Sequence, residues 1–182
     1  PWKGQDKLLN AFVSFCKRFE EGYLVFIGSA LFMEEEYLNS LKDKVSRLGL
    51  NNRVRFLGYR DDLEVILNGI DLFMYPSLEK DTSPLALLSA LAAGLPVGVS
   101  DIFGLKEVVG DLNKAHFFDV NDLSQMESIM EYFIERDNRI CAAYESREFA
   151  KKKFSIDNYT DQCMEHIEVI LKGYREQNNY VN

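Results

Sequence analysis

Cysteine, proline, basic charge and unbroken hydrophobic runs are all scarce in this 182-residue sequence. The cysteines, Cys16, Cys141 and Cys163, are odd in number and far apart, and only two histidines, His116 and His166, accompany them. That excludes a disulfide framework and leaves too few ligands for a Cys/His zinc site. A reducing, cytoplasmic setting is expected, the cytoplasmic face of a membrane included. Lys plus Arg is 21 against 29 Asp plus Glu, a net charge of −8, which argues against nucleic acid as a partner because a duplex-binding surface needs a basic excess. A local basic site for an anion remains compatible with an acidic whole. The longest apolar stretch, Leu85 to Val99, is broken by Ser89, Gly94, Pro96 and Gly98 and falls short of the roughly 20 residues of a spanning helix, so no transmembrane segment is expected.

With 11 Gly and 4 Pro there is no low-complexity linker either, and 47% hydrophobic residues are enough for a real core. At roughly 150 residues per domain the expectation is one domain over residues 1–182. The chain opens Pro1-Trp2-Lys3 without an initiator Met, which reads as a piece of a longer protein. Three motifs are missing. Without G-x-G-x-x-G or G-x-x-x-x-G-K-[ST] there is no case for a dinucleotide oxidoreductase or a P-loop NTPase, and without G-x-S-x-G there is no serine-hydrolase elbow.

What is present is alternation. Tyr23–Gly28, Arg53–Gly58, Leu72–Ser77, Pro96–Ser100 and Lys114–Phe118 are short runs that read as strands, most of them nearly continuous and apolar, as buried parallel strands should be. Between them Asp6–Glu21, Met33–Leu48, Asp61–Gly69, Pro84–Ala93 and Leu105–Val109 carry helical spacing. In the first helix Leu8, Leu9, Phe12, Phe15, Cys16 and Phe19 recur at three- and four-residue intervals, one stripe laid against a sheet. The order predicts an α/β fold, a doubly wound parallel sheet with right-handed crossovers over residues 1–120. After Phe118 the strands stop, and Asp122–Glu135, Asn138–Lys153 and Ile156–Gln177 form a C-terminal helical tail over residues 121–182. On the last helix Tyr159, Cys163, Ile167, Ile170, Leu171 and Tyr174 make an apolar stripe, which either packs on its own domain or is left for self-association.

Ligands of open parallel sheets bind beyond the carboxyl ends of the strands, so the residues there are the candidates. After the third strand comes Leu78-Glu79-Lys80-Asp81-Thr82-Ser83-Pro84-Leu85. Ser83 suits an N-cap and Pro84 the first helical position, which would aim the amides of Leu85 and Ala86 and the positive helix end at a phosphate. Any capped helix has such amides, so this alone does not decide. Lys3-Gly4 could bring an ammonium to the same crevice or simply be a solvated terminus. Gly28-Ser29 and Gly58-Tyr59-Arg60 close two strands, as a ligand-facing turn or an ordinary one. Asp61-Asp62 read as dipole partners of a helix start and His116 as a core histidine.

Taken together these segments resemble the C-terminal, nucleotide-sugar-binding half of GT-B glycosyltransferases, in particular the retaining enzymes called family 4. The resemblance runs through Lys3-Gly4-Gln5-Asp6-Lys7-Leu8-Leu9, Leu24-Val25-Phe26-Ile27-Gly28, Val54-Arg55-Phe56-Leu57-Gly58, Asp71-Leu72-Phe73-Met74-Tyr75-Pro76-Ser77 and Ala90-Leu91-Ala92-Ala93-Gly94-Leu95-Pro96-Val97. It implies a Rossmann-like fold, one half of a GT-B architecture, binding a nucleoside diphosphate sugar as substrate in a cleft closed by a separate N-terminal acceptor domain. It further implies that Lys3 pairs with the donor diphosphate, that the Gly28 turn and Gly58-Tyr59-Arg60 receive ribose and base, and that Ser83, Thr82 and Leu85 belong to the diphosphate cradle. Neither a metal nor a cofactor is implied, since lysine, amides and a helix dipole can neutralise the leaving group.

One departure stands out. The family carries two glutamates eight positions apart, and here those positions hold Asp81 and Ser89 (89 − 81 = 8). Asp81 keeps a carboxylate on a shorter stem, with Glu79 as a nearby substitute. Ser89 keeps none, which removes a charge-assisted ribose contact worth roughly 1.5–3 kcal/mol. The expected function is therefore donor binding in a retaining hexosyltransferase acting on a glycan or glycolipid, with Asp81 and Lys3 in catalytic roles. The alternative is a degenerate, non-catalytic relative used for binding or assembly. A receiver- or flavodoxin-like module does not explain the five ordered blocks.

Overall fold

The computed structural model describes residues 1–30, 34–79, 81, 84–113 and 115–179, the last five of these as backbone. Thr82 and Ser83 lie outside the described residues. Thirteen elements follow one another: α1 (Gln5–Cys16), β1 (Leu24–Phe26), α2 (Glu35–Arg47), β2 (Val54–Phe56), α3 (Leu63–Leu67), β3 (Phe73–Tyr75), α4 (Leu85–Ala92), β4 (Val97–Ser100), α5 (Phe103–Val109), β5 (His116–Phe118), α6 (Leu123–Tyr132), α7 (Arg136–Phe154) and α8 (Ile156–Asn179). Each strand lies inside an apolar run of the sequence.

All the pairings are parallel. Leu24 faces Val54 across β1 and β2, Phe73 faces Val97 across β3 and β4, and Gly98 faces His116 across β4 and β5. Hydrogen bonding groups the strands as β1–β2 and β3–β4–β5 instead of one continuous ladder. Side chains join the two groups: Leu24 and Phe26 pack in the same apolar layer as Leu72, Met74 and Phe118, under Leu8 and Ala11 of α1 and Met126 and Ile129 of α6.

Strand alternation divides the core into two faces. Phe73 and Tyr75 join Val97 and Val99 beneath α4, α5 and α7, where Leu87, Leu91, Leu105, Val109 and Ala150 are buried. Met74 and Phe118 turn to the opposite face. There α1 wedges between α6 and α2, its Leu9, Phe12 and Phe15 meeting Leu41 and Val45. Helices therefore cover both faces, as double winding requires.

The helices that follow residue 120 share the core of the strands. Met126 of α6, Phe133 and Ala142 of α7 are buried in the same cluster as Phe118. Only α8 behaves as a tail. Tyr159, Ile167, Ile170, Leu171 and Tyr174 are exposed and Cys163 is half-buried. Among the described residues no helix is long and apolar enough to cross a membrane.

Candidate functional site

The site starts from a glycine. Gly4 has φ 67, the left-handed region, and a Cβ there would stand 2.0 Å from the carbonyl oxygen of Pro76, just past β3. Only glycine permits that approach. With Gly4 seated, the Leu78 amide donates to the Trp2 carbonyl at 2.8 Å, and the segment ahead of α1 is fastened to the carboxyl end of β3. Lys3 is consequently turned over the last residue of that strand.

There its ammonium donates to two acceptors, the Tyr75 hydroxyl and Asp81 Oδ2. The Tyr75 hydroxyl in turn donates to the same Asp81 oxygen. The Trp2 ring lies 3.9 Å from Nζ to centroid, a favourable arrangement for a cation, whereas Tyr75, its centroid at 4.8 Å, is met through its hydroxyl edge. Asp81 is 8% exposed, whereas the Lys3 side chain keeps 34% of its surface. The carboxylate is thus held inside and the cation looks out. Burial first, and then the hydrogen bond and charge of Asp81, push the Tyr75 phenol well above its ordinary value. Asp81 is held from behind as well, since a Cβ on Gly104 at the start of α5 would come within 2.3 Å of the Asp81 carbonyl oxygen.

Of the expected residues, Lys3 and Asp81 are brought into direct contact across 78 positions of sequence. Glu79 is exposed and offers only its carbonyl, to the Ser77 hydroxyl at 3.0 Å, so Asp81 is the carboxylate at this point. Leu85 opens α4 and is 70% exposed. Pro84 stands at the N-cap instead of the first helical position, because its ψ of 71 is not helical. Ser89 donates to the Leu85 carbonyl at 2.9 Å, one turn back on its own helix.

A second opening lies at the end of β1. A crevice of about 160 Å³ is lined by Gln5, Phe26, Gly28, Ser29, Tyr37 and Phe56 among others. The Gly28 amide donates to the Gly58 carbonyl at 2.8 Å, so the two expected turns lie side by side, with open space in front of each glycine. Tyr37, which sequence reasoning did not single out, accepts from the Asp6 amide at 3.2 Å, and burial above all pushes its phenol up to about 12. Tyr59 is exposed, and Arg60 is engaged by Asp62 through two bonds of 2.7 and 2.6 Å. That pairing holds the Asp62 carboxyl below its usual range. His116 lies against Tyr132 and Phe133, with centroids at 4.9 and 5.0 Å, a packed ring of the sheet and not part of the crevice. A further cavity of about 270 Å³, lined by Asp71, Pro96 and Arg139 among others, opens at the amino ends of β3 and β4, away from Lys3.

The arrangement can receive an anion: a partly exposed lysine over Trp2, at the carboxyl end of β3 and ahead of α4 in the chain. Tyr75 escaped sequence reasoning because it sits in an apolar run. Its signal was a hydroxyl at the final strand position.

The family model for glycosyl transferases group 1 matches residues 1–177. A phosphatidyl-myo-inositol mannosyltransferase of Mycobacterium leprae is 27% identical over 139 residues, which cover 75% of this chain and 35% of that protein. Mannosylfructose-phosphate synthase of Agrobacterium fabrum is 33% identical over 129 residues, 66% of this chain and 28% of the relative. Among solved structures, HepE of Anabaena in complex with UDP superposes with a TM-score of 0.84 at 26% identity, over 93% of this chain and 46% of HepE. The chain spans less than half the length of these relatives.

Proposed function

The chain belongs to the group 1 glycosyl transferases, and from that premise we propose that it is the donor-binding half of a retaining hexosyltransferase whose acceptor is a glycan or glycolipid. The donor is a nucleoside diphosphate sugar. Lys3 and the start of α4 meet the charge of the leaving diphosphate without a metal, Asp81 orients the sugar, and the Gly28 and Gly58-Tyr59-Arg60 turns take ribose and base. The acceptor is held by a further domain. The observation that carries the reading is the meeting of Lys3 and Asp81 at the carboxyl end of β3.

Calorimetric titration of the chain with UDP, GDP and ADP tests it. Saturable binding of one of them, weakened by Lys3→Ala, is expected. Silence with all three overturns the reading. It would leave the second one, a non-catalytic binding or assembly module, which is favoured by the absence of a carboxylate at Ser89.

The same comparison motivates a gain of function. Ser89→Glu is expected to tighten nucleoside diphosphate binding by several-fold, about 1 kcal/mol, because a carboxylate can accept from both ribose hydroxyls where the serine hydroxyl is spent on Leu85. Calorimetry showing no gain would remove the ribose from this position. The exposed stripe on α8 supports self-association of the chain, which a strict monomer in light scattering at high concentration would refute.

A further inference from the structure

The donor reading gives Lys3 and Asp81 roles and leaves the Tyr75 hydroxyl, which touches both, without one. The three groups differ in how firmly the fold holds them. Lys3 reaches the site on a flexible four-carbon stem, from a segment that precedes the first helix. Asp81 sits between β3 and α4 in no element of regular structure. Tyr75 ends β3, paired with Val99 of β4, with its ring 6.0 Å from that of Phe73 and its carbonyl accepting from the buried Ser100 hydroxyl at 3.2 Å. A phenol has few rotamers, and this one is fixed by packing.

We propose that Tyr75 is the positioning residue of this site, its hydroxyl tying the Lys3 ammonium and the Asp81 carboxylate to β3 in the relative placement that a diphosphate meets. The proposal rests on the donor-binding reading. A hydroxyl suits the task because it can accept from the cation and donate to the anion through one oxygen. Burial and the neighbouring carboxylate keep the phenol protonated, so it never presents a competing negative charge to the phosphates. The ammonium also lies over the ring of Trp2, 3.9 Å from its centroid. Without the hydroxyl, Lys3 would keep its charge and its bond to Asp81 and lose the link that ties that pair to β3.

A double-mutant cycle separates positioning from a structural role. The parent, Tyr75→Phe, Lys3→Ala and the double variant are titrated with whichever of UDP, GDP and ADP binds, well below the melting temperature of each. Tyr75→Phe keeps the ring and is expected to weaken binding about fivefold while leaving the melting temperature within about 2 °C. Lys3→Ala is expected to weaken it tenfold or more, about 1.4 kcal/mol. In the Lys3→Ala background Tyr75→Phe should then add nothing, because it acts through Lys3. Additive losses, a Tyr75→Phe chain that binds like the parent, or one that no longer folds overturn the role of Tyr75 and leave the donor site standing. Lys3→Ala binding like the parent, or no binding by any diphosphate, removes the donor reading and this inference with it.

Discussion

Gly4→Ala is expected to lower the melting temperature and the diphosphate affinity together. The left-handed backbone alone costs an alanine roughly 1–2 kcal/mol. The larger effect is steric, because the new Cβ would stand 2.0 Å from the Pro76 carbonyl oxygen and 3.0 Å from its carbon. Both are backbone atoms just past β3, which is paired with β4 and packed on both faces, so β3 yields less than the chain end and relief comes by lifting the Trp2–Gly4 segment away. That breaks the 2.8 Å bond from the Leu78 amide to the Trp2 carbonyl and withdraws Lys3 from Tyr75 and Asp81. Asp81 then stays buried without its cation, which is the costly way to divide an ion pair. The sum is a loss of about 3 kcal/mol or more, read by chemical denaturation, with nucleotide binding at least tenfold weaker by calorimetry. Parent-like values in both measurements would mean that the Gly4 contact does not place Lys3.

The general form of the fold was legible because burial leaves a period in the sequence. Leu8, Leu9, Phe12 and Phe15, spaced for one helix face, are all buried, and the apolar runs contain all five strands. The helical stretch after Phe118 carries the same signal. Met126, Ile129 and Phe133 also recur at helical spacing, and they are core. On α8 the stripe runs the other way, apolar in sequence and exposed in structure, since a period reports an amphipathic face and not what covers it.

The site was legible residue by residue and not as an arrangement. Lys3 and Asp81 could each be picked out, but that they share a hydroxyl depends on Gly4 meeting Pro76, a contact between distant positions that no local pattern encodes. Tyr75 was hidden by its neighbours, because Phe73 and Met74 make its run read as core filling. Arg60 stands at the expected turn with its guanidinium bound by Asp62, two positions on, a local pair that the sequence Arg60-Asp61-Asp62 already offered.

Asp81→Asn is expected to tighten nucleoside diphosphate binding by about tenfold, even though it alters a residue of the site. In the free chain the carboxylate already neutralises Lys3, so an arriving diphosphate finds its cation engaged and a like charge behind it. Two like charges about 4 Å apart at an effective dielectric near 20 repel by about 4 kcal/mol, an upper limit. Solvent at the Lys3 side chain, 34% exposed, screens much of that and leaves on the order of 1–2 kcal/mol, which is where the tenfold comes from. The opposing effect is a looser Lys3. It is limited, because the Tyr75 hydroxyl still accepts from the ammonium and can still donate to the asparagine oxygen. Stability should change little, since a buried charge leaves while the remaining one reaches water. Because the gain is electrostatic, it should shrink as salt rises, and the titration is therefore made at low and at high ionic strength. Binding that is unchanged or weaker in the Asp81→Asn chain at low salt would show that the carboxylate does not compete with the diphosphate, and that the pair with Lys3 helps to build the donor site instead of restraining it.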